Sequence, residues 1–108
     1  MAETVKKLGE LFPAAGELTA IYTVPPNTRA VVSSIVVCNH DCWPTEFSIS
    51  HAVGNAVDSA SQYLYKDERL PPTTFVATVG LTLSAGDVLR VRSLNGLTSF
   101  NVYGSELT

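Results

Sequence analysis

Apolar and polar residues alternate along much of the chain, in short runs separated by turn residues. The clearest run covers residues 74–83, where every odd-numbered residue is apolar and three of the five even-numbered residues are threonine. A period of two places successive side chains on opposite faces of a β-strand. This run therefore predicts an antiparallel strand with one face in the core and the other in water.

Two further runs predict strands of different character. Residues 29–39 carry Val31, Ile35 and Val37 on one face and Val32, Val36 and Cys38 on the other. A run that is apolar on both sides is typical of a central strand buried on both faces. Residues 46–53 instead place Phe47, Ile49, His51 and Val53 opposite Glu46, Ser48, Ser50 and Ala52. That alternation predicts a half-exposed strand.

Turn residues recur about every ten positions, a spacing typical of a sandwich or barrel. They include Pro25–Thr28, the Pro71-Pro72 pair and the hairpin signal Asn95-Gly96. Seven or eight strands fit between them, and no stretch is long enough for crossover helices. We therefore predict an all-β fold: an antiparallel two-sheet β-sandwich of jelly-roll type.

The N-terminal segment has a different pattern. Val5, Leu8 and Phe12 fall roughly on one helical face after a possible cap at Thr4, whereas Gly9 weakens a helix. We expect a short helix or an extended arm over residues 1 to about 15. The predicted organisation is an N-terminal arm over residues 1–17 and a β-sandwich domain over residues 18–108.

Composition and charge exclude several classes of protein. Hydrophobic residues make up 45% of the chain and charged residues 16%, so intrinsic disorder is not expected. The net charge of −3 removes the simplest electrostatic basis for direct nucleic-acid binding. We see no export signal and no apolar run long enough to cross a membrane. Two cysteines cannot build a disulfide scaffold, which favours synthesis in a reducing cytoplasm.

The residues 38–42, Cys-Asn-His-Asp-Cys, are the best candidate for metal binding or catalysis. A structural zinc site usually needs four ligands, and no second Cys or His pair follows. We therefore expect a turn, with Trp43 packed at the sheet edge and no metal or other cofactor. His51 lies in phase with an apolar strand face, and the sequence marks neither a nucleophile nor an orienting acid for it. The chain is not expected to be an enzyme.

Two residue pairs are candidates for an interface. Arg90 and Arg92 share one strand face, which either forms a basic stripe for an acidic partner or is simply a solvated face. Tyr63 and Tyr65 are expected to point the same way on a short strand. Paired tyrosines anchor protein interfaces or stack on sugars, and otherwise contribute to the core.

Four segments carry a resemblance to known proteins. They are LGELFPAAGELTAIYTVPP, RAVVSSIVVCN, QYLYKDERLPPTTFVATVGLTLSAGDVLRV and SFNVYGSEL. Together they cover nearly the whole chain and resemble a family of small single-domain virion proteins of tailed bacteriophages. Their most recognisable parts are strand and turn signatures, such as Leu81–Asp87 and Gly104–Glu106.

The resemblance implies a capsid decoration, or cement, protein on the outer surface of the virion. Its partners would be the major capsid protein and further copies of itself, arranged as a homotrimer over local three-fold positions. An arm that becomes ordered on binding would suit this role. We expect that arm to contact the capsid or a neighbouring subunit through Val5, Leu8, Leu11 and Phe12.

Two other functions remain open. If the chain is a phage virion protein, it could instead be a tail, baseplate or head-fibre adaptor. From a different class, it could be a carbohydrate-binding module in which Tyr63, Tyr65 and Trp43 stack on sugars. The sandwich architecture alone carries many unrelated functions and does not separate these alternatives.

Overall fold

The structure is a computed structural model that describes residues 2–108 and contains eight β-strands within them. The strands are β1 (Glu3–Leu11), β2 (Thr19–Thr23), β3 (Arg29–Asn39), β4 (Thr45–Ala52), β5 (Tyr63–Leu70), β6 (Thr74–Leu83), β7 (Val88–Ser93) and β8 (Thr98–Leu107). Between β4 and β5 lie two single 3₁₀ turns, Val53–Asn55 and Ala60–Gln62. Over residues 2–108, no helix has the length and apolar character needed to cross a membrane.

The strands form two antiparallel four-stranded sheets. Sheet A has the order β1-β8-β3-β6, and sheet B has the order β2-β7-β4-β5. These interleaved orders, in which most consecutive strands lie in opposite sheets, are those of a jelly roll. The predicted all-β sandwich is confirmed.

The core lies between the two sheets and is built from aliphatic side chains around an aromatic cluster. Phe47 of sheet B lies at its centre, with ring centroids 5.5 Å from Phe75 and 6.4 Å from Phe100 of sheet A. Both Phe47 and Phe100 are almost fully buried. This aromatic packing joins the sheets across the sandwich.

The prediction of a helix or separate arm at the N-terminus is wrong for the residues described. Residues 3–11 form β1, which pairs with β8 from Glu3 opposite Leu107 to Leu11 opposite Phe100. Leu8 and Leu11 pack against the core, so this segment belongs to the sandwich. A register shift between Lys7 and Gly9 interrupts the pairing of this strand. Met1, which was assigned to the same arm, lies outside the described residues.

The central position predicted for residues 29–39 is confirmed, because β3 lies between β8 and β6. The predicted burial of both faces of this strand is not confirmed. A register shift between Val32 and Ser34 adds one residue to the strand, so Ala30 and Val32 face the core before it, and Ile35 and Val37 after it. A bulge of this kind reverses which alternate residues point inward.

Strand β4 is more buried than predicted. Ser48 and Ser50 are fully buried, although the alternating pattern placed them on a solvent-facing side. The strand lies between β7 and β5, and the chain that follows it returns over the outer side of sheet B. Arg90 of β7 donates from Nη2 to Oδ1 of Asn55 at 2.8 Å and so holds this covering segment down.

Candidate functional site

The outer side of sheet A presents an apolar surface to solvent, which we call the docking face and define by Val5, Val31, Val36 and Tyr103. Val5 and Val31 both lie opposite Ser105, so they share one row across three strands. Val5 is 81% exposed and Tyr103 is 39% exposed, whereas Val31 and Val36 are half-buried. Exposed apolar side chains grouped on one face form a candidate interaction surface.

A shallow hollow lies in the docking face where β8 crosses the bulge of β3. Its volume is about 280 Å³, and its lining includes Val5, Val31 and Tyr103. Gly104 is part of this lining, and a Cβ there would collide with the carbonyl oxygen of Val31. The two strands can approach this closely because residue 104 has no side chain.

Charged side chains on this side of sheet A lie at its rim. Lys7 and Glu10, on edge strand β1, form an ion pair with Nζ and Oε1 2.9 Å apart. The hydrogen bond to Glu10 raises the pKa of Lys7. Glu3 and Arg29 both lie opposite Leu107, in the row of residues at one end of the sheet. The Lys7 ammonium lies 5.8 Å from the ring centroid of Tyr103, and Lys6 contributes to the lining of the hollow, so positive charge borders the apolar side chains of the docking face on the β1 side.

The structure separates the four N-terminal residues that were predicted to contact a partner. Val5 belongs to the docking face, whereas Leu8 and Leu11 pack against the core of the same chain. Phe12 is 54% exposed, and its ring contacts His40 edge-on with centroids 5.7 Å apart. Only Val5 and Phe12 of this set are therefore placed to meet another molecule.

The prediction that Tyr63 and Tyr65 point the same way is wrong. Tyr65 faces the core, with its ring centroid 5.9 Å from Phe47 and 5.5 Å from Phe75. Tyr63 lies outside sheet B, where the Lys66 ammonium is 4.7 Å from its ring centroid. Tyr65 lies opposite Ile49, whereas Tyr63 lies opposite Ser50. The register shift between these two pairs makes the two tyrosine side chains point to opposite sides of sheet B.

The paired stacking platform expected of a carbohydrate-binding module is therefore not formed by these tyrosines. Burial, followed by a hydrogen bond with Asp58, raises the pKa of Tyr63. Asp58, Tyr63 and Lys66 line a cleft of about 350 Å³. The Lys66 ammonium lies over the Tyr63 ring and covers one face of it.

Arg90 and Arg92 share the outer side of sheet B, as their spacing predicted, since they lie opposite Ser50 and Ser48. Both are hydrogen-bonded within the chain. Arg92 donates from Nε to the carbonyl oxygen of Gly16 at 3.1 Å and from Nη1 to Oδ1 of Asp67 at 3.3 Å. Together with the bond from Arg90 to Asn55, these contacts hold loops against sheet B rather than form a free basic stripe.

The cysteine-rich segment 38–42 forms a turn organised by Asn39. Its Nδ2 donates to the carbonyl oxygens of Trp43 at 2.9 Å and Leu70 at 3.2 Å, while Oδ1 accepts from the Asp41 amide at 3.0 Å. Trp43 is 69% exposed, so the expected packing of its ring at the sheet edge is wrong. Within residues 2–108, no three His, Cys, Asp or Glu side chains group as metal ligands.

His51 has an acidic partner that sequence patterns did not reveal. Its Nε2 lies 2.9 Å from Oδ2 of Asp87, which is buried and lies 36 residues away along the chain. Asp87 also accepts from the backbone amides of Gly54 at 3.0 Å and Ser84 at 3.1 Å. Burial acts to raise the pKa of Asp87, but the bonds from His51, Gly54 and Ser84 outweigh it and lower the pKa.

Asp87 thus ties His51 of β4, and Gly54 in the segment after β4, to the turn before β7. In the part of the chain that the structure describes, no hydroxyl or thiol forms a hydrogen bond with His51. A histidine and a carboxylate without a nucleophile do not make a catalytic triad. Their geometry supports a structural role.

No family model matches the chain, and no curated protein is significantly similar to it.

Proposed function

We propose that the chain is a virion structural protein that decorates a bacteriophage capsid by placing its docking face against the major capsid protein. The observation that carries this proposal is the group of apolar side chains on the docking face, where Val5 is 81% exposed. The resemblance of the four sequence segments to small phage virion proteins supports the choice of partner. Cementing a capsid requires a stable wedge and complementary surfaces, and it requires no reactive group.

The size of sheet A is compatible with a contact that is repeated over a lattice. Four strands spaced about 4.8 Å apart, with roughly nine residues each at about 3.3 Å, cover on the order of 600 Å². A standard interface buries about 800 Å² per partner, so one docking face would bind modestly. Repetition over many capsid positions would make the total contribution to head stability large.

The proposal is tested by the occupancy of the protein on heads of the phage that encodes it. Val5→Asp introduces a charge into the docking face at an exposed position, where it does not disturb the core. We expect its occupancy to fall about tenfold or more relative to the unmodified protein. Val57→Asp is the matched control, since Val57 is 87% exposed but lies on the segment covering sheet B. Its occupancy should be unchanged.

Electron microscopy of labelled protein on complete virions would separate the related structural roles. Label on the head supports decoration of the capsid. Label confined to the tail, baseplate or head fibres would overturn the capsid assignment and favour an adaptor. Equal occupancy of Val5→Asp and Val57→Asp would show that another surface makes the contact.

A further inference from the structure

Three of the four edge strands carry features that discourage pairing with another chain. Strand β1 has four charged residues and β5 has a run of four, whereas β2 is only five residues long. Charged side chains and short length are the usual means by which sheet edges avoid edge-to-edge association. The charged residues are Glu3, Lys6, Lys7 and Glu10 on β1 and Lys66, Asp67, Glu68 and Arg69 on β5.

Strand β6 is the exception. It forms the free edge of sheet A, is ten residues long and contains neither a charged residue nor a proline. Threonine, valine and phenylalanine, which favour extended backbone, make up most of its first half, Thr74–Thr78. Gly80, with φ of +59°, marks a register shift that interrupts the strand beyond Thr78. The regular part of this open edge is therefore Thr74–Thr78.

We propose that β6 is a self-association edge, at which two copies of the chain pair antiparallel about a two-fold axis through Val76. The pairing would join two A sheets into one continuous eight-stranded sheet. It uses the edge of sheet A rather than the docking face, so it stands independently of the capsid proposal.

The backbone of β6 presents the groups that such a pairing needs. The amide of Asn39 in β3 donates to the carbonyl oxygen of Thr73 at 3.1 Å. In an antiparallel ladder, every second residue bonds to the same neighbour, so Phe75 and Ala77 also face β3. The backbone groups of Thr74, Val76 and Thr78 consequently point to the open edge. A two-fold axis at Val76 would pair them in about six new hydrogen bonds.

The side chains of Thr74–Thr78 are complementary to themselves in this register. Val76 lies opposite Val76 of the second copy, and Thr74 lies opposite Thr78, so the outer side carries only Val–Val and Thr–Thr pairs. On the inner side, the large Phe75 meets the small Ala77. Threonine pairs and β-branched pairs are favourable across strands, and no like charges face each other.

The extent of the pairing predicts its strength and its stoichiometry. Five residues per strand bury less area than the roughly 800 Å² per partner of a standard interface, so we expect a dimer that dissociates on dilution. Within the same fold, the five-residue β2 is held on β7 by a ladder of similar length. A strand that pairs with itself closes at two copies, unlike the homotrimer that the resemblance implies.

The test is the mass in solution from low micromolar to millimolar protein, measured by analytical ultracentrifugation. We expect the mass to rise toward twice 11.5 kDa. Val76→Lys places two like charges opposite each other at the axis and should raise the dimer dissociation constant about tenfold or more. Val76 is 55% exposed, so the variant should fold, which circular dichroism verifies. Thr82→Lys, an exposed position beyond the register shift, is the matched control and should dimerise normally.

A charge exchange gives the decisive result. Val76→Lys and Val76→Glu should each be monomeric, and an equimolar mixture should form a mixed dimer because opposite charges then meet at the axis. A trimer, or a wild-type protein that stays monomeric at millimolar concentration, would overturn the proposal. So would a dimer that Val76→Lys leaves intact.

Discussion

Tyr22 of sheet B donates a hydrogen bond from Oη to Oε2 of Glu106 in sheet A, with the two oxygens 2.6 Å apart. The other carboxylate oxygen of Glu106 lies 2.8 Å from Nζ of Lys6 in β1. One carboxylate therefore joins three strands from both sheets, close to the edge where β1 and β2 lie near each other. Hydrogen bonds to charged groups are among the stronger polar contributions to stability.

The first prediction concerns this bond. Tyr22→Phe removes the hydroxyl but keeps the ring, so it leaves an oxygen of Glu106 without its donor. We expect the free energy of unfolding to fall by about 1.5–3 kcal/mol in urea denaturation. Tyr103→Phe is the matched control, because Tyr103 lies on an exposed face and its hydroxyl forms no hydrogen bond to a described residue. Equal losses in the two variants would contradict the role of Oη.

The second prediction is a pH dependence centred on Glu106. Hydrogen bonds from Lys6 and Tyr22 lower its pKa, so the folded state holds the ionised carboxylate better than the unfolded chain does. The stability from this site is present above the ordinary value of 4.5 and is lost as the pH falls through the lowered pKa. Glu106→Gln should be less stable at neutral pH and should lose less stability on acidification.

The same site predicts a loss of stability at alkaline pH. Burial and the bond to Glu106 raise the pKa of Tyr22, so the stability it contributes is present below 10.0 and is lost as the pH rises through the raised value. Both losses of stability, at acid and at alkaline pH, are checked by measuring the urea midpoint of unfolding across the two pH ranges. If stability fell with acid pH as steeply in Glu106→Gln as in the wild type, the acid loss would come from other carboxylates.

The third prediction concerns the turn that contains the two cysteines. Asn39→Asp replaces the Nδ2 donor with a carboxylate oxygen that faces the carbonyl oxygens of Trp43 and Leu70. We expect a loss of about 3 kcal/mol in the free energy of unfolding, because one oxygen of a buried carboxylate then faces two carbonyl oxygens, while the other oxygen still accepts from Asp41 and Asn95. Asn27→Asp changes the same atoms in an exposed turn and should cost far less. If the two variants lost a similar free energy of unfolding, the hydrogen bonds of Asn39 would not be what stabilises the turn.

The fourth prediction tests the close approach of β8 and β3 beneath the docking face. In Gly104→Ala, the new methyl group would collide with the carbonyl oxygen of Val31, so the strands must move apart. We expect a loss of about 1–3 kcal/mol, measured in urea. Thr82→Ala, at an exposed position on the same side of sheet A, should cost about 0.5 kcal/mol. An unchanged stability in Gly104→Ala would mean that the strands separate freely.

Most of the strands could be predicted from the sequence, because each has a recognisable pattern of apolar and polar residues over a few neighbouring positions. The alternation in residues 74–83 and the apolar run in 29–39 are the strands β6 and β3. The prolines and glycines between runs mark where hydrogen-bonded ladders end. The docking face could be predicted only in part: the sequence predicts Val5 as a contact residue but assigns Val31, Val36 and Tyr103 to no surface.

The faces of β3 and β5 could not be predicted, since an irregularity in the pairing inserts one residue and reverses the alternation beyond it. This is why Ile35 and Val32 point inward together, and why Tyr63 and Tyr65 do not point the same way. The partner of His51 could not be predicted either, because the contact with Asp87 joins strand β4 to a turn that is distant in the chain.

The sequence by itself determined that the chain forms short antiparallel strands around an apolar core, because period-two patterning and turn residues act over a few neighbouring positions. Only the tertiary structure decided that β1 is a strand rather than a helix or an arm, because its hydrogen-bonding partner β8 lies at the other end of the chain. It also decided which apolar residues stay in solvent. That choice depends on the register of neighbouring strands and on which edges remain unpaired, and both are set by contacts between distant segments.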